Sequence, residues 1–155
     1  MIKDLLRPEI QQFIIEHENT DAADVMLKSA RYPGFPMVAI AEQIQSRKKA
    51  RAKIPEWYVT SRILYPPLLS LEQCSSQETG NYKRELVCGS TMVDLTGGMG
   101  VDTYYLSQSF ERADYVERQE NLVEVAAHNF EMLKGENGGV SHCMAEEFLS
   151  ALKSP

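Results

Sequence analysis

The 155 residues contain no apolar run long enough to cross a membrane, and no signal peptide is recognisable at the start. Cysteine is scarce. Cys74, Cys88 and Cys143 share no metal-ligand spacing and read as reduced thiols, which points to a cytoplasmic protein. Histidine is equally scarce: His17, His128 and His142 make no zinc-type pair, so no metal is expected. Positive charge is in the minority. Sixteen Lys and Arg stand against 22 Asp and Glu, and the formal charge of −6 argues against strong nonspecific binding of nucleic acid by the whole surface. What remains is 43% apolar and 25% charged, which fits one globular domain or a domain with a small appendage.

Against this background one stretch stands out, Val93-Asp94-Leu95-Thr96-Gly97-Gly98-Met99-Gly100-Val101-Asp102. Thr91 to Leu95 reads as a buried strand, and Val101 to Ser109 as a helix that starts directly behind the glycines. Glycine lets a ligand approach the backbone, and the first N–H groups of the helix and the positive end of its dipole face the turn. Strand, glycine turn and helix start together make a nucleotide-type site. Spacing excludes two such sites. A P-loop needs a lysine and a Ser or Thr after its last glycine, but Gly100 is followed by Val101 and Asp102. The dinucleotide fingerprint needs a third glycine where Thr103 stands. A pyrophosphate would also sit poorly between Asp94 and Asp102, whereas a ligand with a positive pole suits two carboxylates.

Ala113-Asp114-Tyr115-Val116 reads as a second strand, ended by Glu117 twenty residues past Gly97. In nucleotide-binding βαβ units an acid at about this distance accepts hydrogen bonds from ribose hydroxyls. Gln119 to Leu133 reads as a helix with Leu122, Val125, Ala126, Phe130 and Leu133 on one core-facing stripe. Gly135 to Gly139 is a loop, Val140-Ser141-His142-Cys143 a short third strand, and Ala145 to Lys153 a helix.

Asp94-Leu95-Thr96-Gly97-Gly98-Met99-Gly100 resembles motif I of the class I S-adenosylmethionine-dependent methyltransferases. Its Asp-Leu-Thr-Gly-Gly form is similar to a bacterial subgroup with a THUMP-like domain, related to RNA methyltransferases. Leu71-Glu72-Gln73-Cys74-Ser75-Ser76-Gln77-Glu78-Thr79, with Tyr82-Lys83, resembles the segment this subgroup carries just before motif I; the likeness runs over residues 50–150. The resemblance implies S-adenosylmethionine as cofactor, a molecule with a sulfonium, an ammonium and no phosphate. The implied contacts are Asp94, Thr96, Gly97, Gly98, Gly100, Asp102, Glu117, Met144 and Ala145. The glycines would let the methionine part lie on the backbone, Asp94 would face the ammonium directly or through water, and Glu117 would take the ribose hydroxyls. Many class I methyltransferases bond the adenine amino group through an acid just after the third strand. Here Met144 stands there, with Glu146 and Glu147 slightly later. Met144 is therefore expected to pack on the ring face, with the Ala145 N–H reading its edge.

Residues 1–70 read as helices with breaks. Pro8 suits a first helical turn, with Ile10, Phe13, Ile14 and Ile15 forming an apolar face. Thr20 is placed to cap a second helix through Ala30 that carries Val25, Met26 and Leu27, and Tyr32-Pro33-Gly34-Phe35-Pro36 stops it. A third helix runs from Met37 toward Arg47 with Val38, Ile40, Ala41 and Ile44 inward. Arg47, Lys48, Lys49, Arg51 and Lys53 form the one basic run, with Trp57 and Tyr58 beyond it. Such a run could hold RNA phosphates while the aromatics stack bases. It could equally be a solvated helix end whose cations favour the dipole. Pro66-Pro67 marks a boundary, and Ser75 with Glu78 has capping-box spacing for a helix ending near Cys88 with Gly89 as its C-cap. Ser75, Ser76, Glu78, Tyr82 and Lys83 would then lie near the ligand mouth.

The expected architecture is α/β: a helical N-terminal region, residues 1–70, then a partial Rossmann-like domain, residues 71–155, with parallel strands in the order 3-2-1. The resembling family has seven strands and a catalytic stretch after the fourth. Three strands can be placed here and that stretch cannot, so the chain reads as a cofactor-binding half, with no base or nucleophile and inactive alone. An open sheet edge makes homodimerisation plausible. Two other classes stay open: a non-catalytic RNA- or protein-binding module with a half-Rossmann scaffold, and a nicotinamide oxidoreductase, against which the missing third glycine speaks.

Overall fold

Helices fill the first part of the chain and a parallel sheet organises the rest. The computed structural model describes residues 2–135 and 137–152, and the chain divides into two units, Met1–Gln73 and Cys74–Pro155.

The first unit holds α1 (Ile2–Leu5), α2 (Pro8–Glu16), α3 (Ala22–Leu27), a 3-10 turn (Ser29–Arg31), α4 (Met37–Lys53), α5 (Pro55–Val59) and α6 (Leu68–Gln73). Pro8 and Pro55 each open a helix, where a missing N–H costs nothing. The core is Ile10, Phe13, Ile14, Val25, Ile40, Ile44, Trp57, Leu64 and Leu71. Two buried polar side chains of α4 tie down the segment that follows α5. Gln43 donates to the Tyr65 carbonyl (2.5 Å) and accepts from its N–H (2.9 Å), and the Ser46 hydroxyl donates to the Pro66 carbonyl (3.0 Å).

Several details differ from the sequence reading. Asp21, not Thr20, precedes α3, and α3 stops at Leu27 because the chain tightens into the 3-10 turn. Leu27, Met26 and Ile15 are exposed. Val38 is 62% exposed because Met37 takes the inward position at the start of α4. The helix α4 runs six residues beyond Arg47 to Lys53, so the whole basic run is helical. It ends before Pro55, whose ring disfavours helix in the preceding residue.

The second unit contains α7 (Gln77–Leu86), β1 (Gly89–Asp94), α8 (Val101–Ser107), β2 (Phe110–Glu117), α9 (Glu120–Leu133), β3 (Val140–His142) and α10 (Ala145–Ala151). The three strands are parallel with β2 in the centre, the expected 3-2-1 order. Two right-handed crossovers moving in one direction place α8 and α9 on the same face. The α9 stripe buries Leu122, Ala126 and Phe130, with Val125 and Leu133 only half-buried. Residues 113 to 117 of β2 are all buried, as befits the middle strand of a covered parallel sheet, while β1 is more exposed.

Ser76 rather than Ser75 caps α7: its Oγ accepts from the Thr79 N–H at 3.1 Å. The helix ends at Leu86, and Gly89 opens β1 instead of closing α7. The third strand stops at His142, and Lys153, read as helical, lies outside the described residues.

Candidate functional site: the strand ends and the glycine turn

The glycine turn is a tight reversal between β1 and α8. The Gly100 N–H donates to the Gly97 carbonyl at 2.7 Å. Gly98 and Gly100 have φ of +53° and +86°, a left-handed backbone that L side chains rarely adopt. At Gly97 the requirement is space. A Cβ there would lie 2.2 Å from the Tyr115 ring, so the turn can rest on that ring only because residue 97 has no side chain.

The acids are tied to this turn. One Asp94 oxygen accepts from the Thr96 N–H (3.1 Å) and the other from the Thr103 hydroxyl (2.6 Å), which links the end of β1 to the first turn of α8. Glu117 is 7% exposed and bridges two loops. Oε2 accepts from the Gly98 N–H (3.0 Å) and Oε1 from the Gln119 N–H (2.9 Å). Burial, then the charges of Glu117 and Asp94, pushes the Tyr115 phenol up, so its hydroxyl stays a proton donor; it donates to the Gly98 carbonyl at 2.7 Å.

A cleft of about 350 Å³ opens at the C-terminal ends of the strands. Of the residues named from the sequence, Thr96, Glu117, Met144 and Ala145 line it together. Leu95, Arg118, Gln119, Cys143 and Glu146 also line it and were not foreseen as contacts. The signal for Arg118 and Gln119 was their place directly behind the strand-end acid. Glu147 bends back so that its carboxylate accepts from the Met144 N–H (3.1 Å), which leaves Glu146 as the acid of this segment in the cleft. Met144 is 43% exposed, so its thioether can meet a ligand.

Asp94, Gly97, Gly98 and Gly100 form the turn behind the cleft wall. Asp102 faces another way: a single oxygen accepts from Lys83 Nζ (2.9 Å) and the Ser75 hydroxyl (3.0 Å), tying α8 to the segment around α7. Lys83 also donates to the Ser75 hydroxyl at 3.0 Å. The structure thus brings Ser75, Lys83 and Asp102 into one cluster, whereas Ser76 is occupied with its cap and Tyr82 is exposed.

The fold that carries this turn and cleft aligns with a solved structure. The crystal structure of a Porphyromonas gingivalis W83 protein, provisionally described as a methyltransferase, aligns with a TM-score of 0.81 and 30% sequence identity over 96% of this chain. The chain has a methyltransferase-like fold. It spans 37% of that neighbour's length. No family model and no curated protein matches the chain. Among the described residues of this methyltransferase-like chain, no helix is long and apolar enough to cross a membrane, and no group of three His, Cys, Asp or Glu could hold a metal ion.

In the first unit the basic run is partly consumed. Arg47 pairs with Glu18 (3.2 Å) and stacks over Tyr58, 4.4 Å from its ring centroid. Lys49 reaches Glu72 at 3.8 Å, and Lys53 donates to the Glu72 carbonyl at 2.5 Å. Trp57 is 0% exposed, so it cannot stack a base, and the Tyr58 hydroxyl donates to Glu18. Lys48 and Arg51 are exposed.

Proposed function

We propose that the chain is the S-adenosylmethionine-binding part of a methyltransferase that acts on RNA. The observation that carries the cofactor reading is the placement of Glu117, a buried strand-end carboxylate on the wall of a cleft shared with Thr96, Met144 and Ala145. A carboxylate offers about four acceptor positions, and Glu117 spends two on Gly98 and Gln119, leaving two for a vicinal pair of ribose hydroxyls. Met144 supplies a polarisable surface for an adenine face, and Asp94 a negative charge near the turn for the ammonium. The bound sulfonium supplies the methyl group; the protein's task is to align it with the acceptor, which needs no nucleophile of its own.

Calorimetric titration with S-adenosylmethionine tests this. Wild-type chain should bind, and Glu117→Ala should weaken binding by about one to two decades, since a charged hydrogen bond contributes roughly 1.5–3 kcal/mol. Circular dichroism should show the sheet retained. No binding at millimolar ligand removes the methyltransferase reading.

The RNA part of the reading is supported by Lys48 and Arg51, exposed cations on the last turns of α4 in an otherwise acidic chain. Changing both to alanine should lower the slope of log K against log salt by roughly 0.7–0.9 for each phosphate that is no longer neutralised. An unchanged slope would mark the run as a solvated helix end.

A further inference from the structure

Gly98 is gripped from β2 at both of its backbone polar groups. Its N–H donates to Glu117 (3.0 Å) and its carbonyl accepts from the Tyr115 hydroxyl (2.7 Å). Tyr115 and Glu117 are two residues apart on a strand, so their side chains leave the same face. The Tyr115 ring meanwhile supports Gly97 from below and is itself braced edge-on by Phe130, with ring centroids 5.6 Å apart.

A glycine at positive φ between other glycines is the kind of backbone that samples several conformations when nothing holds it. Here two bonds select one. They also orient the neighbouring peptides. A trans peptide is planar, with C=O and N–H on opposite sides. Fixing the Gly98 carbonyl on Tyr115 therefore turns the Met99 N–H away from β2, and that N–H makes no hydrogen bond among the described residues. Fixing the Gly98 N–H on Glu117 leaves the Gly97 carbonyl inside the turn, where Gly100 takes it.

We propose that Tyr115 and Glu117 form a two-point clamp that sets the glycine turn in its ligand-binding shape before the ligand arrives, with Tyr115 a positioning residue for the amino-acid end of S-adenosylmethionine. The ligand part of this inference rests on the cofactor reading given above. The turn held in this way also carries the bond from the Thr96 N–H to Asp94, the charge assigned above to the ammonium, so its shape bears on the amino-acid end of the cofactor. Glu117 then has two tasks, the ribose and the turn, whereas Tyr115 has only the turn.

Two measurements on wild type, Tyr115→Phe and Glu117→Ala test this. The first compares S-adenosylhomocysteine with 5′-methylthioadenosine, which keeps the nucleoside and lacks the amino acid. Tyr115→Phe keeps the ring under Gly97 and removes one neutral hydrogen bond. It should weaken S-adenosylhomocysteine by about 3- to 10-fold and change methylthioadenosine by less than about 2-fold, while Glu117→Ala should weaken both. Unchanged S-adenosylhomocysteine binding, or an equal loss for both ligands, overturns the role of Tyr115. The second is amide hydrogen exchange without ligand. Faster exchange at Gly98 and Gly100, whose N–H groups are bonded within the turn, in Tyr115→Phe supports the clamp, and unchanged exchange overturns it. Binding of neither ligand by wild type would overturn the cofactor reading, while the exchange result would still judge the clamp.

Discussion

The two units use buried polar groups in opposite ways. In Met1–Gln73 they close on one another: Gln43 on the Tyr65 backbone, Ser46 on Pro66, and Glu18 with Arg47 and Tyr58. In Cys74–Pro155 three polar side chains converge on one place, the ends of β1 and β2. There Asp94, Tyr115 and Glu117 all bond the turn at residues 96–98 or the helix behind it. The first pattern stabilises a fold. The second stiffens a backbone that would otherwise be mobile, and it does so beside a cleft. Satisfied polar groups therefore mark a functional place by where they point, not by how many there are.

The sharpest way to break the first pattern is Trp57→Ala. The ring is fully buried, and truncating a buried aromatic costs about 3–5 kcal/mol. Denaturant unfolding followed by circular dichroism should show the first unit lost at much lower denaturant. In the second unit the contrast lies between adjacent glycines. Gly97→Ala puts a Cβ on the Tyr115 ring and should destabilise by roughly 1–3 kcal/mol, as overpacking does. At Gly98 a Cβ would meet only the Thr96 carbonyl, at 3.8 Å, so Gly98→Ala costs chiefly its left-handed backbone, about 1–2 kcal/mol. The binding loss in Gly98→Ala should thus exceed its stability loss, and the reverse should hold for Gly97→Ala.

The smallest expected effect is a pH dependence. The Arg112 guanidinium beside Asp114, and the Gly139 N–H, hold the Asp114 carboxyl below its usual range against the opposing effect of burial. A carboxylate with a depressed folded pKa contributes stability above its unfolded pKa, near 3.9, and loses it as pH falls through the folded value. Wild type should lose an increment of stability below about pH 4 that Asp114→Asn lacks, measurable by melting temperature across an acid series.

The strand, glycine turn and helix were legible because their signals are local: backbone freedom at Gly97, Gly98 and Gly100, and an acid twenty residues on. The Ser75–Glu78 spacing was a plausible cap, but Ser76 took it, since either serine could face the helix start and sequence does not say which turns outward. Trp57 looked like a stacking platform because it follows cations; burial is a tertiary property and put it in the core. Tyr115 passed as one more strand residue. Its grip on Gly98 depends on strand pairing and turn geometry together, and neither can be read from the letters around it. Likewise Glu146 and Glu147 are indistinguishable in sequence, and only the fold of the chain at Met144 makes one a cap and the other a cleft residue.

The register of the sheet has a consequence for how the second unit assembles. Gly89 pairs with Phe110 and Asp94 with Tyr115, each 21 positions apart, while Tyr115 pairs with Val140 and Glu117 with His142, each 25 apart. Every strand contact is thus separated by one helix and its two short connections, and no distant segment has to return before the sheet can form. Loop-closure entropy grows only logarithmically, so the two pairings face nearly equal entropic hurdles. On a growing polypeptide β1, α8 and β2 can pair before β3 joins the sheet, and the supports of the glycine turn are complete once Gln119 has reached Glu117 and Phe130 of α9 has reached Tyr115. The glycine turn thus belongs to the first strand pair of the sheet, and α9 closes its support from the next crossover.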